Sequence, residues 1–201
     1  GQSSVSTPSV TMGLEVVMHM GYVIITVSVL LMVWASIIGA TQTTHHHKDV
    51  EYPPCFFNPL CTCSKAVPDL GIVTCRDVPL PRIPPPINSS KVFMLNLENN
   101  GMGYLEPHFL EGTGLYRLEV SRNPLHSVPD EAFIGLERSL WELELTYGYL
   151  TSVPSRAFRH LQKLRVLNLR GNEISEINPE SWRGLEESLQ TLNLAENAIS
   201  H

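Results

Sequence analysis

Starting at Val92, one eleven-residue line returns five times at intervals of 23 to 25 residues. It reads apolar-x-x-Leu-x-apolar-x-x-Asn-x-apolar: VFMLNLENNGM from Val92, LYRLEVSRNPL from Leu115, LWELELTYGYL from Leu140, LRVLNLRGNEI from Leu164 and LQTLNLAENAI from Leu189. Self-similarity at this period means stacked units, none of which buries its apolar face alone. Alternation at the fourth and sixth places (Leu95/Leu97, Leu118/Val120, Leu143/Leu145, Leu167/Leu169, Leu192/Leu194) predicts a short strand with those side chains inward and their neighbours outward. Asn100, Asn123, Asn172 and Asn197 hold the ninth place, where the chain turns out of the strand. An amide both donates and accepts, so stacked copies form a ladder that satisfies turn groups water cannot reach. The third copy has Gly148 there, and the ladder is expected to skip a rung. Met102, Leu125, Leu150, Ile174 and Ile199 are expected to point back into the core.

The return half closes each coil. Phe109, Phe133, Phe158 and Trp182 recur at one position and predict an aromatic spine on the convex side, followed by Leu136, Leu161 and Leu185. Each such side chain contributes roughly 1.5–3 kcal/mol when buried. A helical bundle is excluded by the period-2 segments and by Pro124, Pro129, Pro154 and Pro179. The pattern resembles that of leucine-rich repeats. The resemblance implies an α/β-type leucine-rich repeat solenoid, with short parallel strands on a concave face and an irregular, 3-10 or helical convex side. The coils are expected at 92–114, 115–139, 140–163, 164–188 and 189–201, the last cut short. Because no closing cap follows, the chain reads as a piece of a longer protein.

Residues 1–40 hold a single charged residue, Glu15, and Gly21–Ala40 is almost wholly apolar. A secretory leader over 1–40 is expected, starting at Met12 and cleaved after Ala40, with Ala35 the second choice. An uncleaved membrane anchor is the alternative, since the run is long enough to span a bilayer. Either route places the remainder outside the cytosol. A linker over 41–54 and a cysteine-rich cap over 55–91 are expected to follow.

The four cysteines, Cys55, Cys61, Cys63 and Cys75, stand directly before the first repeat. An even count in a compact cluster after a secretion signal means a disulfide framework, and four cysteines allow three pairings. A zinc site is disfavoured, because C-x-C is poor geometry for paired ligands. The spacing resembles the amino-terminal caps of extracellular leucine-rich repeat proteins, which implies Cys55–Cys63 and Cys61–Cys75. The cap would cover the apolar end of the first coil. Val78–Asn88 is expected as an extended edge leading into it. Asn88-Ser89-Ser90 is the only glycosylation sequon, expected on a polar loop.

Nothing in the chain looks like an enzyme. His45, His46 and His47 read as a solvated linker, and His108, His126 and His160 fall on turns or convex positions. No Ser or Cys nucleophile pairs with a His in a shared motif, and no phosphate loop follows a strand. The net charge of −6 makes nucleic acid a poor partner, and no cofactor is implied. What remains is the concave face. Its outward positions form three rows: Met94, Arg117, Glu142, Val166, Thr191; Asn96, Glu119, Glu144, Asn168, Asn193; and Glu98, Ser121, Thr146, Arg170, Ala195. Arg117, Glu119, Glu142, Glu144, Tyr147 and Arg170 are the candidate partner-binding patch, with Arg122 beside them.

Beyond the repeat skeleton, YPPC, CTCSKAVPDLGIVTC, SKVFMLNLEN, GLERSLWELEL, RHLQKLRVLNL and RGLEESLQTLNL resemble the amino-terminal part of the chaoptin-like adhesion proteins of insect photoreceptors. The resemblance covers nearly all of residues 52–201, including the extra residue in LERSL and LEESL. It implies a glycosylated protein on the outer face of the plasma membrane. A carboxyl-terminal lipid (GPI) anchor would hold it there, and it would join photoreceptor microvilli by homophilic contact across opposing membranes. Gly148 and the neighbouring Thr146–Tyr149 depart from the pattern, so no adhesive detail carries over to the third coil. A Toll-like signalling ectodomain and a secreted binding module are the alternatives.

Overall fold

The computed structural model describes residues 51–200. The apolar run 21–40, the start at Met12, both cleavage positions and His45–His47 lie outside the described residues.

Eight strands form one sheet in chain order: β1 (Pro54–Cys55), β2 (Asn58–Cys63), β3 (Asp69–Arg76), β4 (Lys91–Glu98), β5 (Arg117–Ser121), β6 (Glu142–Thr146), β7 (Val166–Asn168) and β8 (Thr191–Asn193). The first three pair antiparallel, and every pairing from β3 onward is parallel. β3 lies in register with the first repeat, Val73 beside Leu95 and Cys75 beside Leu97. The last cap strand therefore extends the repeat sheet by one rung and turns Leu70, Val73 and Cys75 into the same core, where all are fully buried. This seals the sheet edge that β4 would otherwise expose. Pairing starts slightly before the expected cap boundary: Pro54 belongs to β1, and the Pro53 carbonyl accepts from Cys63 N–H at 2.9 Å.

Disulfides join Cys55 to Cys63 and Cys61 to Cys75, with Cα–Cα separations of 5.0 and 4.4 Å. Cys61 and Cys75 are direct cross-strand neighbours on β2 and β3. The second bond closes a loop of 14 residues.

The chain between cap and first coil differs from the expected extended edge. Pro85–Asn88 forms one helical turn, α1, after Pro84 in an extended conformation. Proline at the first helical positions has its φ already set and loses no needed donor. Ile87 fixes the turn by burying its side chain, and Ser90 Oγ donates to the Pro86 carbonyl at 2.7 Å. Asn88 stands exposed at the end of α1 instead of on a loop.

Leu95, Leu97, Leu118, Val120, Leu143, Leu145, Leu167 and Leu169 are all buried, as period-2 patterning requires. The convex side is built from turns, the short helix α2 (Ser155–Phe158) and a 3-10 turn (Pro179–Trp182). Phe109, Phe133 and Phe158 are buried in line, and Phe133 stacks on Phe158 at 6.0 Å. Trp182 continues the line only half-buried against the core. The extra residue of the second and fourth coils is absorbed just before the strand. There Leu140 N–H reaches back to the Leu136 carbonyl and Leu189 N–H to the Leu185 carbonyl. In the last copy Leu192 and Ile199 are each 39% exposed, so Ile199 is not in the core as expected. No following coil lies over it within the described residues.

The asparagines turn inward. Asn123 Oδ1 accepts from Asn100 N–H (2.8 Å) and Met102 N–H (3.1 Å), and its Nδ2 donates to the Leu97 and Ser121 carbonyls (2.9 Å each). Asn172 donates to the Leu145 and Leu169 carbonyls and accepts from Leu150 N–H. Asn197 accepts from Ile174 N–H, and Asn100 donates to the Val78 carbonyl of the cap. At Gly148 there is no side chain to receive the second coil. Leu125 N–H folds onto the Asn123 carbonyl at 2.7 Å instead. The missing rung is thus bridged by a tight local turn. A left-handed residue precedes each ladder position: Asn99, Arg122, Tyr147, Gly171 and Glu196 all have φ between 51° and 72°. Apart from Gly171 these residues carry a Cβ at a conformation that usually favours glycine, so the stacked turns hold them there.

Candidate functional site

The parallel register sets the three outward rows side by side across the sheet. They are not equally open. In the third row Ser121 and Thr146 are buried, so that row offers only Glu98, Arg170 and Ala195 to a partner.

Arg117 sits among three carboxylates. Its Nη2 lies 2.5 Å from Glu144 Oε1 and 3.5 Å from Glu119 Oε2, and its Nε lies 3.7 Å from Glu142 Oε1. Asn96 and Asn168 close the cage by donating to Glu119 (3.1 Å) and Glu144 (2.9 Å). One guanidinium thus serves three acids. Burial raises the Glu119 carboxyl above the usual carboxylate range, and the Glu144 charge raises it further, against the opposing pull of Arg117. The carboxylates and the guanidinium bind one another and leave negative charge in excess, while the buried Asn96 Oδ1 has no partner among the described residues.

Tyr147 and Arg170 form a separate group on the rim. The Tyr147 ring lies between Arg122 (5.6 Å) and Arg170 (5.9 Å), a distance at which a guanidinium is drawn to the ring face. Arg122 also pairs with Glu98 at 3.4 Å, which holds Arg76 of the cap at 2.6 Å. Arg170 binds Glu196 at 2.5 Å and holds that carboxyl below its usual range. The six candidate residues therefore fall into a cage and a rim stack, each bound chiefly to its own neighbours. Among the described residues no cluster of three His, Cys, Asp or Glu is arranged to hold a metal ion.

A fourth column escaped the three-row reading. The second residue of each strand line is Phe93, Tyr116 and Trp141 in the first three coils, then Arg165 and Gln190. Phe93 stacks on Tyr116 at 5.0 Å with 14° between planes, and Tyr116 on Trp141 at 5.6 Å with 16°. Their backbones are tied as well, Tyr116 N–H to the Phe93 carbonyl and Trp141 N–H to the Tyr116 carbonyl. Phe93 is 52% and Trp141 38% exposed. The signal was available as three aromatics at one repeat position.

The leucine-rich repeat family model matches residues 138–199, from just before β6 to the end of the fifth line. Chaoptin of Drosophila melanogaster is 51% identical over 158 residues, which is 79% of this chain and 12% of chaoptin. The chain is a chaoptin-like leucine-rich repeat protein. More distant likenesses share the fold pattern. Leucine-rich repeat-containing protein 3B of Danio rerio is 37% identical over 110 residues, covering 53% of this chain and 42% of that protein. Toll-like receptor 9 of Mus musculus is 32% identical over 126 residues, covering 59% of this chain and 12% of the receptor. The chaoptin-like chain spans about an eighth of chaoptin's length, in line with the 12% covered. Among its described residues no helix is long and apolar enough to cross a membrane.

Proposed function

We propose that this chain belongs to an extracellular adhesion protein that binds copies of itself on an opposing cell membrane, as between photoreceptor microvilli. The observation that carries the reading is the 51% identity to chaoptin over 79% of the chain, far beyond what a shared Leu/Asn skeleton supplies. Adhesion needs a broad, rigid, repeated surface and no chemistry. Weak identical contacts add through avidity when many molecules are confined to two facing surfaces.

The rest of the proposal follows from this. The chain enters the secretory pathway by its apolar leader, divides into leader, linker, cap and coils, and carries a glycan on Asn88, whose exposed position suits one. The full protein is held on the outer face of the plasma membrane by a carboxyl-terminal lipid anchor. The concave face bearing Arg117, Glu119, Glu142, Glu144, Tyr147 and Arg170 is turned toward the partner. A signalling ectodomain is the second reading, favoured by the 32% identity to Toll-like receptor 9. It requires a membrane-spanning helix and a cytosolic domain further along the gene product.

Cell mixing tests the proposal. Non-adherent cells expressing the full-length protein should form clusters that exclude non-expressing cells of another colour. Clusters that take in both colours equally would point to a different partner, and dispersed cells would remove adhesion altogether.

A further inference from the structure

We propose that the Phe93–Tyr116–Trp141 ladder is the surface on which a second copy of this chain docks. This rests on the homophilic reading above and names the contact that reading leaves open.

Three observations meet at this column. First, the rings are open and already ordered. Phe93 and Trp141 are exposed, Tyr116 is held between them, and the strands that carry them are hydrogen-bonded to each other. Little side-chain freedom remains to be lost on docking, and large aromatics are the commonest anchors of protein contacts.

Second, charge decides which part of the face can meet its own image. The adjoining rows hold Glu119, Glu142 and Glu144, and one arginine, Arg117, is shared by all three. Setting that cage against an identical cage brings acid against acid. The ladder carries no charge over three coils, and its column turns polar only at Arg165, which is occupied with the Ser188 carbonyl at 2.7 Å. With the ladders in contact the cages lie at the margin, where salt screens them.

Third, the order of the rings suits a two-fold axis. A contact between identical patches places residue i against j and j against i. An axis through Tyr116 sets Tyr116 on Tyr116 and Phe93 on Trp141. The smallest ring then faces the largest on both sides, and the width of the contact stays even.

The test uses beads coated with the complete ectodomain, in wild-type form and as Tyr116→Arg and Tyr116→Glu, each checked for secretion and for an unchanged melting temperature. Wild-type beads should clump. Each variant alone should clump about tenfold more slowly, because like charges meet on the axis. Mixed Arg and Glu beads should recover, with each clump containing both kinds. If either variant is poorly secreted, the double variants Phe93→Arg/Trp141→Arg and Phe93→Glu/Trp141→Glu replace the pair: like charges then meet in each alone and opposite charges on mixing, with the same loss and recovery expected. Variants that clump like wild type overturn the ladder contact and leave homophilic adhesion standing. Loss in both variants without recovery on mixing also overturns it, and points to a glycan or another protein on these rings. Wild-type beads that stay dispersed overturn the homophilic reading and the ladder contact with it.

Discussion

At the scale of single residues, one buried amide ties two coils together through four bonds. Asn123 bonds to two N–H groups and two carbonyls in two coils. Asn123→Ala leaves the buried Asn100 and Met102 N–H groups without their acceptor, while the Ser121 carbonyl keeps its bond from Asn99 N–H; each orphan costs about 1–3 kcal/mol. Denaturant unfolding should therefore show a loss of at least ~2 kcal/mol. Asn197→Ala, at a half-buried rung, should cost clearly less; equal losses would mean that burial does not set the value of a rung. Glu119 behaves in the opposite sense from most carboxylates. Its folded pKa is raised, chiefly by burial, so the folded chain holds this proton to higher pH than the unfolded one. The resulting cost is therefore present above the folded pKa, and it disappears as pH falls toward the unfolded value of about 4.3. Glu119→Gln removes that cost. Its stability advantage over the native chain should be largest near neutral pH and shrink on acidification, as read by melting temperature. An advantage that grows on acidification would reverse the assignment. The asparagine positions were legible in the sequence because one residue type recurring at the same place in four of five copies implies one job. The bypass at Gly148 was not, because it depends on Leu125 N–H finding the Asn123 carbonyl, a choice made by backbone torsions that no residue type announces.

At the scale of elements, the strands and their facing followed from period-2 leucines alone, because a shift of one residue would turn every one of them into water. The cap was less legible. Spacing alone left three cysteine pairings open. The parallel register of β3 with β4, which makes the cap an extra rung, lies in an eight-residue strand with no repeat consensus. The helical turn α1 was hidden by its prolines, which read as extended chain when no buried anchor such as Ile87 is known. In the chain-entropy account a crosslink over a loop of this size contributes about 3 kcal/mol. Replacing Cys61 and Cys75 together by serine should lower stability by about that amount and loosen β2 and β3 first. Hydrogen exchange should show early opening in the cap while β5–β7 stay protected. Opening that begins in the middle coils would contradict a cap that seals the sheet from one end.

At the scale of the whole molecule, stacking converts a short motif into one wide face, and most of that face is bound to its own neighbours. The acidic cage and the Arg–Tyr–Arg rim were found in the sequence as rows, but their mutual satisfaction was not. Which arginine reaches which carboxylate depends on rotamers across coils some 25 residues apart, as in the Arg117–Glu144 pair. What the rows left over is an uncharged aromatic column, the part of the face we propose a second copy meets first. The measurement that tests this account most directly is clumping of beads that carry only the purified complete ectodomain, followed as surface density rises. Avidity predicts clumping that steepens with density and spreads between two bead colours only when both carry the ectodomain. Coated beads that stay dispersed at every density, with the ectodomain folded and its disulfides intact, would contradict it.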